Sequence, residues 1–260
     1  ELQGGRAVHV PLRLPDFAVD WQRVGDAVTP RTRLIMVNSP HNPSGAVFSA
    51  EDLEALAEIT RQQDILVLSD EVYEHIVFDG SPHQSVLRHA ELAERSFVVS
   101  SFGKTYHCTG WKVGYCVAPR ALSAEFRKVH QYLTFCTFAP AQWAFADVLE
   151  ADPQHYLDLP AFYQTKRDRF RELLAGSRFQ LLPVGGAYFQ LADYAAISDK
   201  DDLNFCEWLV REAGVAAIPV SAFCETAPEA RELRAMHAAD LGPMRDRLTW
   251  FLSGWLGGPA

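Results

Sequence analysis

Long apolar runs and basic blocks are both absent from this sequence. No uninterrupted apolar stretch reaches the roughly 18 residues that a membrane-spanning helix needs. Lysine and arginine form no cluster, and the 260 residues carry a formal net charge of −9. These absences exclude an ordinary transmembrane helix, and they argue against a nucleic acid or an anionic membrane surface as a partner of the chain.

Cysteine is sparse and follows no pairing pattern. The five cysteines are an odd number and include no CxxC pair, so the sequence predicts neither a disulfide framework nor a metal site of the zinc type. A reducing cytoplasm fits this usage best. The first residues, ELQGG, contain neither an initiator methionine nor the basic-then-apolar order of a signal peptide, so we expect this start to be internal.

The sequence does contain an alternation of apolar runs and helical patterns. Strand-like runs occupy residues 33–38, 65–69 and 96–100, and a helical spacing of leucine and alanine separates the first two. This order predicts an α/β fold with a mostly parallel central sheet, helices on both faces and a smaller C-terminal α/β domain. With 48% hydrophobic residues, we expect residues 1–155 to belong to a large domain and residues 156–260 to a linker helix and a small domain.

Weaker patterns predict the remaining elements. The run GYCVA at residues 114–118 is apolar throughout, so we expect a further buried strand there. A helical spacing covers residues 202–212. Other short strand-like runs lie at residues 7–12, 179–182, 188–191 and 215–218.

Polar motifs follow three of the predicted strands. They read NSPHNPSG from residue 38, SDEVY from residue 69, and SFGK from residue 101. Because the carboxyl ends of parallel strands meet at one edge of a sheet, where ligands bind, we expect these motifs to border a shared site. A lone lysine is usually a solvated surface charge. A lysine between hydroxyl-bearing residues and a glycine-rich turn is, however, the arrangement that a Schiff-base enzyme needs.

The order and separation of these motifs carry a family resemblance. NPSG, SDEVY and SFGK…GWKVGY together resemble the class I/II aminotransferases of the pyridoxal-phosphate fold type I family. The segments SFGKTYHCTGWKVGYCVAP and RKVHQYLTF are most similar to the methionine and glutamine/kynurenine aminotransferase branch. The similarity runs from about residue 1 to residue 225 and then weakens. It implies pyridoxal 5′-phosphate as cofactor, with the large domain incomplete because its N-terminal part is absent.

Two residues carry the chemistry that this resemblance implies. Lys104 would hold the cofactor as a Schiff base and, once displaced by the substrate amine, would move the α-proton. Asp70 would stand beside the pyridine nitrogen and keep its proton in place, which the cofactor needs in order to act as an electron sink. Outside this context, an aspartate at a strand end is more often a cap or a turn residue.

Four further residues match cofactor-binding positions of the family. Tyr73 and Asn42 would donate hydrogen bonds to the phenolic oxygen of the ring, although an isolated Asn before Pro-Ser-Gly is usually plain turn chemistry. Ser101 and Lys112 would contact the phosphate, for which a hydroxyl and an ammonium are suited. Many relatives carry arginine where Lys112 stands, and lysine is typical of the methionine and kynurenine branch.

An amino-acid substrate needs an arginine that binds its carboxylate with two hydrogen bonds. In the family this residue follows an IPxSxF segment, which is present at residues 218–223, and Arg234 lies at about the right distance. The residues after Arg234, AMHAA, differ from the usual continuation, so Arg231 and Arg247 remain lesser candidates.

The resemblance also implies substrates and an oligomeric state, and it leaves two alternative functions open. Amino-acid and 2-oxo-acid substrates and a homodimer of the full-length protein are implied, and we expect the 260-residue chain by itself to be impaired. A carbon–sulfur β-lyase on the same fold would share every cofactor residue. A non-catalytic, aminotransferase-like effector domain of a transcription regulator would bind the cofactor as a signal.

Overall fold

The computed structural model describes residues 3–61 and 63–224 and the backbone of strand Ala235–Ala239. The chain divides into two compact units, which are named here by their sheets. The parallel-sheet unit comprises Trp21–Pro40 and Val47–Ala161. The antiparallel-sheet unit comprises Glu1–Asp20, His41–Ala46 and Phe162–Ala260. The expected boundary between a large domain of residues 1–155 and a linker helix with a small domain of residues 156–260 stays a prediction.

A four-stranded sheet forms the centre of the parallel-sheet unit. Its strands, in spatial order, are β1 (Leu34–Asn38), β2 (Leu66–Asp70), β3 (Ser96–Ser101) and β4 (Gly114–Val117). β1, β2 and β3 run parallel, whereas β4 pairs antiparallel with β3. The prediction of an α/β fold with a mostly parallel sheet is confirmed, and its three main strands lie within a residue of their expected bounds.

Six helices belong wholly to this unit. They are α1 (Trp21–Ala27), α2 (Ala50–Arg61), α3 (Ala90–Ala93), α4 (Phe102–Thr105), α5 (Arg120–Leu133) and α6 (Ala139–Ala151). α2 begins with a reciprocal cap, in which the Asp52 amide donates to Ser49 Oγ at 3.2 Å and the Ser49 amide donates to Asp52 Oδ2 at 2.7 Å. The other carboxylate oxygen of Asp52 accepts from the Trp21 indole at 2.7 Å, which fastens α1 to α2.

The core of the parallel-sheet unit lies between α2 and one face of the sheet. Alternate residues of β2 and β3, Val67 and Val98, are buried against Leu53, Leu56 and Ala57 of the helix. The helix buries these side chains because they recur at three- and four-residue intervals along one face. Burying a leucine of this kind stabilises the fold by about 2 kcal/mol, so this face of the sheet is fixed by packing.

The antiparallel-sheet unit has its own sheet and core. The strands occur in the order β5 (Gln180–Leu181), β6 (Phe189–Asp193), β8 (Ala235–Ala239) and β7 (Ile218–Pro219), all antiparallel. Helix α8 (Asp202–Trp208) continues as a π-helical turn to Ala213, close to the expected bounds. In the core, the Tyr194 and Phe205 rings stack with centroids 3.9 Å apart. A long helix, α7 (Gln154–Leu174), begins in the parallel-sheet unit and ends in this one.

One expected strand is absent, and the predicted burial of another is wrong. Residues 7–12 form no strand, and Val8 is 63% exposed, so the alternating pattern there meets no neighbouring strand. The strand at Gly114–Val117 exists, but it is an antiparallel edge strand with Val117 43% exposed rather than a buried one. Its apolar run resembles a central strand because periodicity alone cannot report which neighbours a strand has. Within the described residues, no helix has both the length and the apolar character needed to cross a membrane.

Candidate functional site

The carboxyl ends of β1, β2 and β3 bring polar side chains to one face of the sheet. Asn38 lies beside Asp70 in the register of β1 and β2, and Asp70 lies beside Val99 in that of β2 and β3. Side chains two positions apart on a strand point to the same face, so Ser101 shares the face of Val99 and Asp70. This face is half-buried and opposite to the packed core.

Lys104 follows this edge without an intervening loop. β3 ends at Ser101, and the next residue begins the single-turn helix α4, so Lys104 stands one turn beyond the strand. Its Nζ lies 5.5 Å from the centroid of the Tyr73 ring. Tyr73 is 2% exposed and therefore fixed by its surroundings. An ammonium held near an aromatic ring gains about 0.5–2 kcal/mol, which favours this position of the lysine side chain.

Burial and the charge of Lys104 have opposite effects on the pKa of the Asp70 carboxyl group. Burial raises the pKa of its carboxyl group above the ordinary value. The Val72 amide, which donates to Asp70 Oδ1 at 3.2 Å, and the positive charge of Lys104 both act in the opposite direction. The structure thus brings Asp70, Tyr73 and Lys104 close enough to interact, at the sheet edge that the sequence predicted.

Lys112 occupies a loop beyond α4. It is exposed and has φ of 55°, in the left-handed region that non-glycine residues seldom adopt. The loop then enters β4 through Gly114, where a Cβ would lie 2.5 Å from the carbonyl oxygen of Ser100. Only glycine permits β4 to approach β3 this closely, so Gly114 fixes the point at which the loop carrying Lys112 rejoins the sheet.

Asn42 lies in the antiparallel-sheet unit, on the loop His41–Ala46. Its side chain is exposed, and the Asn42–Pro43 peptide is cis. The loop is held by the Gly45 amide donating to the His41 carbonyl at 2.8 Å and by a 2.8 Å hydrogen bond between His41 Nδ1 and Ser44 Oγ. Burial lowers the pKa of His41 to about 4, so this imidazole is neutral at pH 7. The role predicted for Asn42 stays a prediction.

The arginine predicted to bind the substrate carboxylate is Arg234, which lies outside the described residues, as do Arg231 and Arg247. The segment that precedes it is described. Ser221 of the IPxSxF segment donates through its amide and its hydroxyl to the carboxylate of Asp202, at 2.7 and 2.9 Å. The first residue of α8 therefore fixes this segment within the antiparallel-sheet unit.

Sequence reasoning missed a buried carboxylate beside Asp70. Glu71 is 1% exposed, and its carboxylate is bonded to the imidazole of His83 and the hydroxyl of Ser69, both at 2.8 Å, and to the Val86 amide at 3.1 Å. Burial by itself would raise the pKa of Glu71, but the hydrogen bond and charge of His83, with the nearby hydroxyls, outweigh it and lower the pKa. The sequence feature that could have indicated Glu71 is an acidic residue directly after an aspartate at the end of a strand.

A second missed group lies around Glu74. Its carboxylate accepts hydrogen bonds from Ser100 Oγ, at 2.6 Å, and from the Tyr115 hydroxyl. Nothing in the spacing of these residues predicts the contact, because 26 and 41 positions of sequence separate Glu74 from its two partners.

Residues 1–239 match the family described as Aminotransferase class I and II. Methionine aminotransferase of Escherichia coli K12 is 55% identical over 223 residues, which are 86% of this chain and 58% of that protein. Mouse kynurenine–oxoglutarate transaminase 1 is 34% identical over 251 residues, covering 85% of this chain and 59% of that protein. The chain thus spans somewhat under two thirds of the length of these relatives.

Solved structures agree with the sequence match. The crystal structure of YbdL from Escherichia coli, described as having a methionine aminotransferase function, has a TM-score of 0.91 and 49% identity, covering 96% of this chain and 66% of that one. Aspartate aminotransferase of Thermus thermophilus has a TM-score of 0.78 and 31% identity, covering 91% and 60%. The predicted family and its fold type I architecture are both confirmed. This chain belongs to the class I and II aminotransferase family.

Proposed function

We propose that the protein transfers an amino group between an amino acid and a 2-oxo acid with pyridoxal 5′-phosphate as cofactor. One observation carries the proposal: Lys104 extends directly from the central strand β3, lies 5.5 Å from the Tyr73 ring, and acts electrostatically on Asp70. Enzymes of this family depend on pyridoxal phosphate, and the relatives named above are transaminases.

The described side chains fit the chemistry of this cofactor. When bound, pyridoxal phosphate withdraws electrons from the α-carbon of the amino acid. The half-buried carboxylate of Asp70 would keep a proton on the pyridine nitrogen, and the Tyr73 hydroxyl would donate to the phenolic oxygen, as would the Asn42 amide. Ser101 and Lys112 would hold the phosphate.

Lys104 is the group that would bond to the cofactor aldehyde and later carry the α-proton. Its amine must be neutral for that proton transfer. Arg234 would bind the substrate carboxylate with two hydrogen bonds.

We propose methionine as the amino donor to test first, with glutamine and aromatic amino acids next. The support is the 55% identity to a methionine aminotransferase and the weaker similarity to kynurenine transaminases. From the family resemblance we further propose a homodimer, and from the odd number of cysteines without a CxxC pair a cytoplasmic location. Net charge of −9 supports small molecules rather than nucleic acid or membrane as the partners.

The test uses protein loaded with pyridoxal phosphate and incubated with methionine and a 2-oxo acid. We expect the corresponding amino acid to form, and a visible absorbance band of the lysine-bound cofactor that Lys104→Ala abolishes. Lys128→Ala is the matched control, because Lys128 is an exposed helical lysine paired with Glu125. Release of pyruvate and ammonia from a cysteine conjugate, with no amino transfer to an acceptor, would instead identify a β-lyase. A band that survives in Lys104→Ala would contradict the assignment of the lysine.

A further inference from the structure

Glu74 connects three segments of the parallel-sheet unit. Its Oε1 accepts one hydrogen bond from Ser100 Oγ at 2.6 Å and another from the hydroxyl of Tyr115. Ser100 lies on β3 and Tyr115 lies opposite it on β4, as partners in the antiparallel register. Glu74 itself belongs to the segment that follows β2. A single carboxylate oxygen therefore joins the chain after β2 to β3 and β4.

Two members of this trio are adjacent in sequence to residues of the candidate site, and the third lies on the strand that follows the Lys112 loop. Glu74 follows Tyr73, Ser100 precedes Ser101, and Tyr115 stands at the start of the strand that the Lys112 loop enters. Side chains alternate along a strand, so Ser100 faces away from the side on which Ser101 lies. Ser100 and its register partner Tyr115 therefore lie on the face of the sheet opposite to Ser101.

Glu74 Oε1 also has the imidazole of His75 nearby, with Nε2 at 3.8 Å. Ser100 is 5% exposed, and its remaining polar contact is a long one, 3.4 Å, to the Glu71 carbonyl. The Glu74 side chain is 22% exposed, and the Tyr115 ring packs on Phe102 with centroids 5.1 Å apart. Burial and the bond to Glu74 raise the pKa of Tyr115, so its hydroxyl remains a donor at neutral pH. Removal of the carboxylate would leave two part-buried hydroxyls without their acceptor.

We propose that Glu74 is a positioning residue, which holds Tyr73 and the Ser101–Lys104 segment in their relative places by binding Ser100 and Tyr115 from behind the sheet. Phe102, which contacts Tyr115, lies in the helical turn that carries Lys104, so the same bonds restrain the orientation of that turn. The functional meaning of this brace rests on the proposed cofactor chemistry, whereas the brace itself is a property of the folded chain.

The first experiment examines the brace without any cofactor. Amide hydrogen exchange would be compared among the wild-type chain, Glu74→Ala, Glu74→Gln and Glu58→Ala. Glu58 is an exposed glutamate of α2 and serves as the matched control. We expect exchange in peptides covering residues 71–76, 100–106 and 113–117 to become about tenfold faster in Glu74→Ala, because buried hydrogen bonds are lost there. Glu74→Gln keeps an acceptor oxygen and restores most of the protection.

The second experiment measures the effect on the cofactor. We expect the apparent affinity for pyridoxal phosphate to fall about tenfold in Glu74→Ala, with a shifted pH midpoint of the visible band, and both to recover in Glu74→Gln. Ser100→Ala and Tyr115→Phe, which remove one bond each, give smaller changes in the same direction.

The outcomes separate this proposal from the proposed function. Unchanged local exchange in Glu74→Ala, or accelerated exchange that extends over α2 and the whole sheet, would overturn the positioning role. An unchanged affinity and pH midpoint in a variant with locally faster exchange would overturn it too. If the full-length wild-type protein shows no visible band with the cofactor, the cofactor assignment fails, and the exchange data alone decide whether Glu74 braces these segments.

Discussion

The ionised carboxyl group of Asp70 destabilises the cofactor-free fold, although its proposed role requires that charge. Burial raises the pKa of this carboxyl in the folded chain, so the ionised group is unfavourable there. For a carboxyl with a raised pKa, the stabilising contribution is full below the unfolded value and is lost as pH rises through the folded value. Above that pH, the cofactor-free fold carries the cost of a half-buried charge that a bound pyridinium would compensate.

Asp70→Asn is therefore expected to raise the melting temperature of the cofactor-free chain by a few degrees at pH 7, and to abolish tight cofactor binding. Asparagine retains the oxygen that accepts from the Val72 amide. The advantage over wild type should shrink as pH is lowered through the raised pKa of Asp70, because the carboxyl then becomes protonated. Thermal unfolding followed by circular dichroism between pH 4 and 8 measures this, and a lower melting temperature at pH 7 would contradict it.

Glu71 and His83 form a pair of the opposite kind, in which the charged carboxylate is stabilised. The carboxylate is almost fully buried and bonds His83 at 2.8 Å. Because the pKa of Glu71 is lowered, its contribution to stability is present above the unfolded value of 4.5 and is lost as pH falls through the folded value. Acid unfolding of the parallel-sheet unit should therefore include protonation of this group.

His83→Ala is expected to destabilise the chain by about 3 kcal/mol, because it leaves a buried carboxylate short of its partner. Glu71→Gln removes the buried charge. In that background, His83→Ala should therefore lower the free energy of unfolding by clearly less than it does in the wild type. Urea unfolding of both single variants and the double variant at pH 7 gives the coupling energy. Strictly additive effects would show that the pair is not coupled.

At the scale of elements, the close approach of β4 to β3 depends on Gly114. A Cβ there would lie 2.5 Å from a backbone oxygen, which cannot move aside as a flexible side chain would. Gly114→Ala is expected to cost about 2 kcal/mol and to weaken cofactor binding, because it displaces the strand that anchors the Lys112 loop.

Gly110→Ala is the control for this substitution, because no atom lies within 4 Å of a Cβ built at Gly110. Its free energy of unfolding should stay within about 0.5 kcal/mol of the wild type. Equal effects of the two substitutions on the urea midpoint would argue against steric contact as the cause.

The sequence predicted the elements that a short stretch of residues defines by itself. It did not predict features that depend on contacts between residues distant in the sequence. Strands β1 to β3 and the placing of Asp70 and Lys104 at their ends follow from apolar runs that stop at polar motifs. The edge position of β4 does not, because an apolar run reads the same in a central or an edge strand. The contact of Glu74 with Tyr115 spans 41 residues, and only the folded sheet brings those two positions together.

At the scale of the whole molecule, α5 and the turn after it expose large apolar side chains. Tyr132 is 86% exposed, and Leu133 and Phe135 are each 81% exposed. Large apolar side chains that are exposed in this number bind hydrophobic dyes and promote association. Replacing Leu133 and Phe135 with glutamate should lower dye fluorescence and self-association of the 260-residue chain, and leave the urea midpoint nearly unchanged. Fluorescence titration and light scattering measure the two effects, and an unchanged dye signal would contradict the expectation.

The direct passage from β3 into the turn bearing Lys104 has a practical consequence for protein engineering. Since the amine proposed to bond to the cofactor follows the end of the interior strand β3 with no intervening loop, changes to residues 96–105 alter geometry and chemistry together. A programme to broaden the range of accepted amino acids should therefore randomise His107 and residues 109–111, the exposed loop positions other than Lys112, and leave residues 96–105 unchanged.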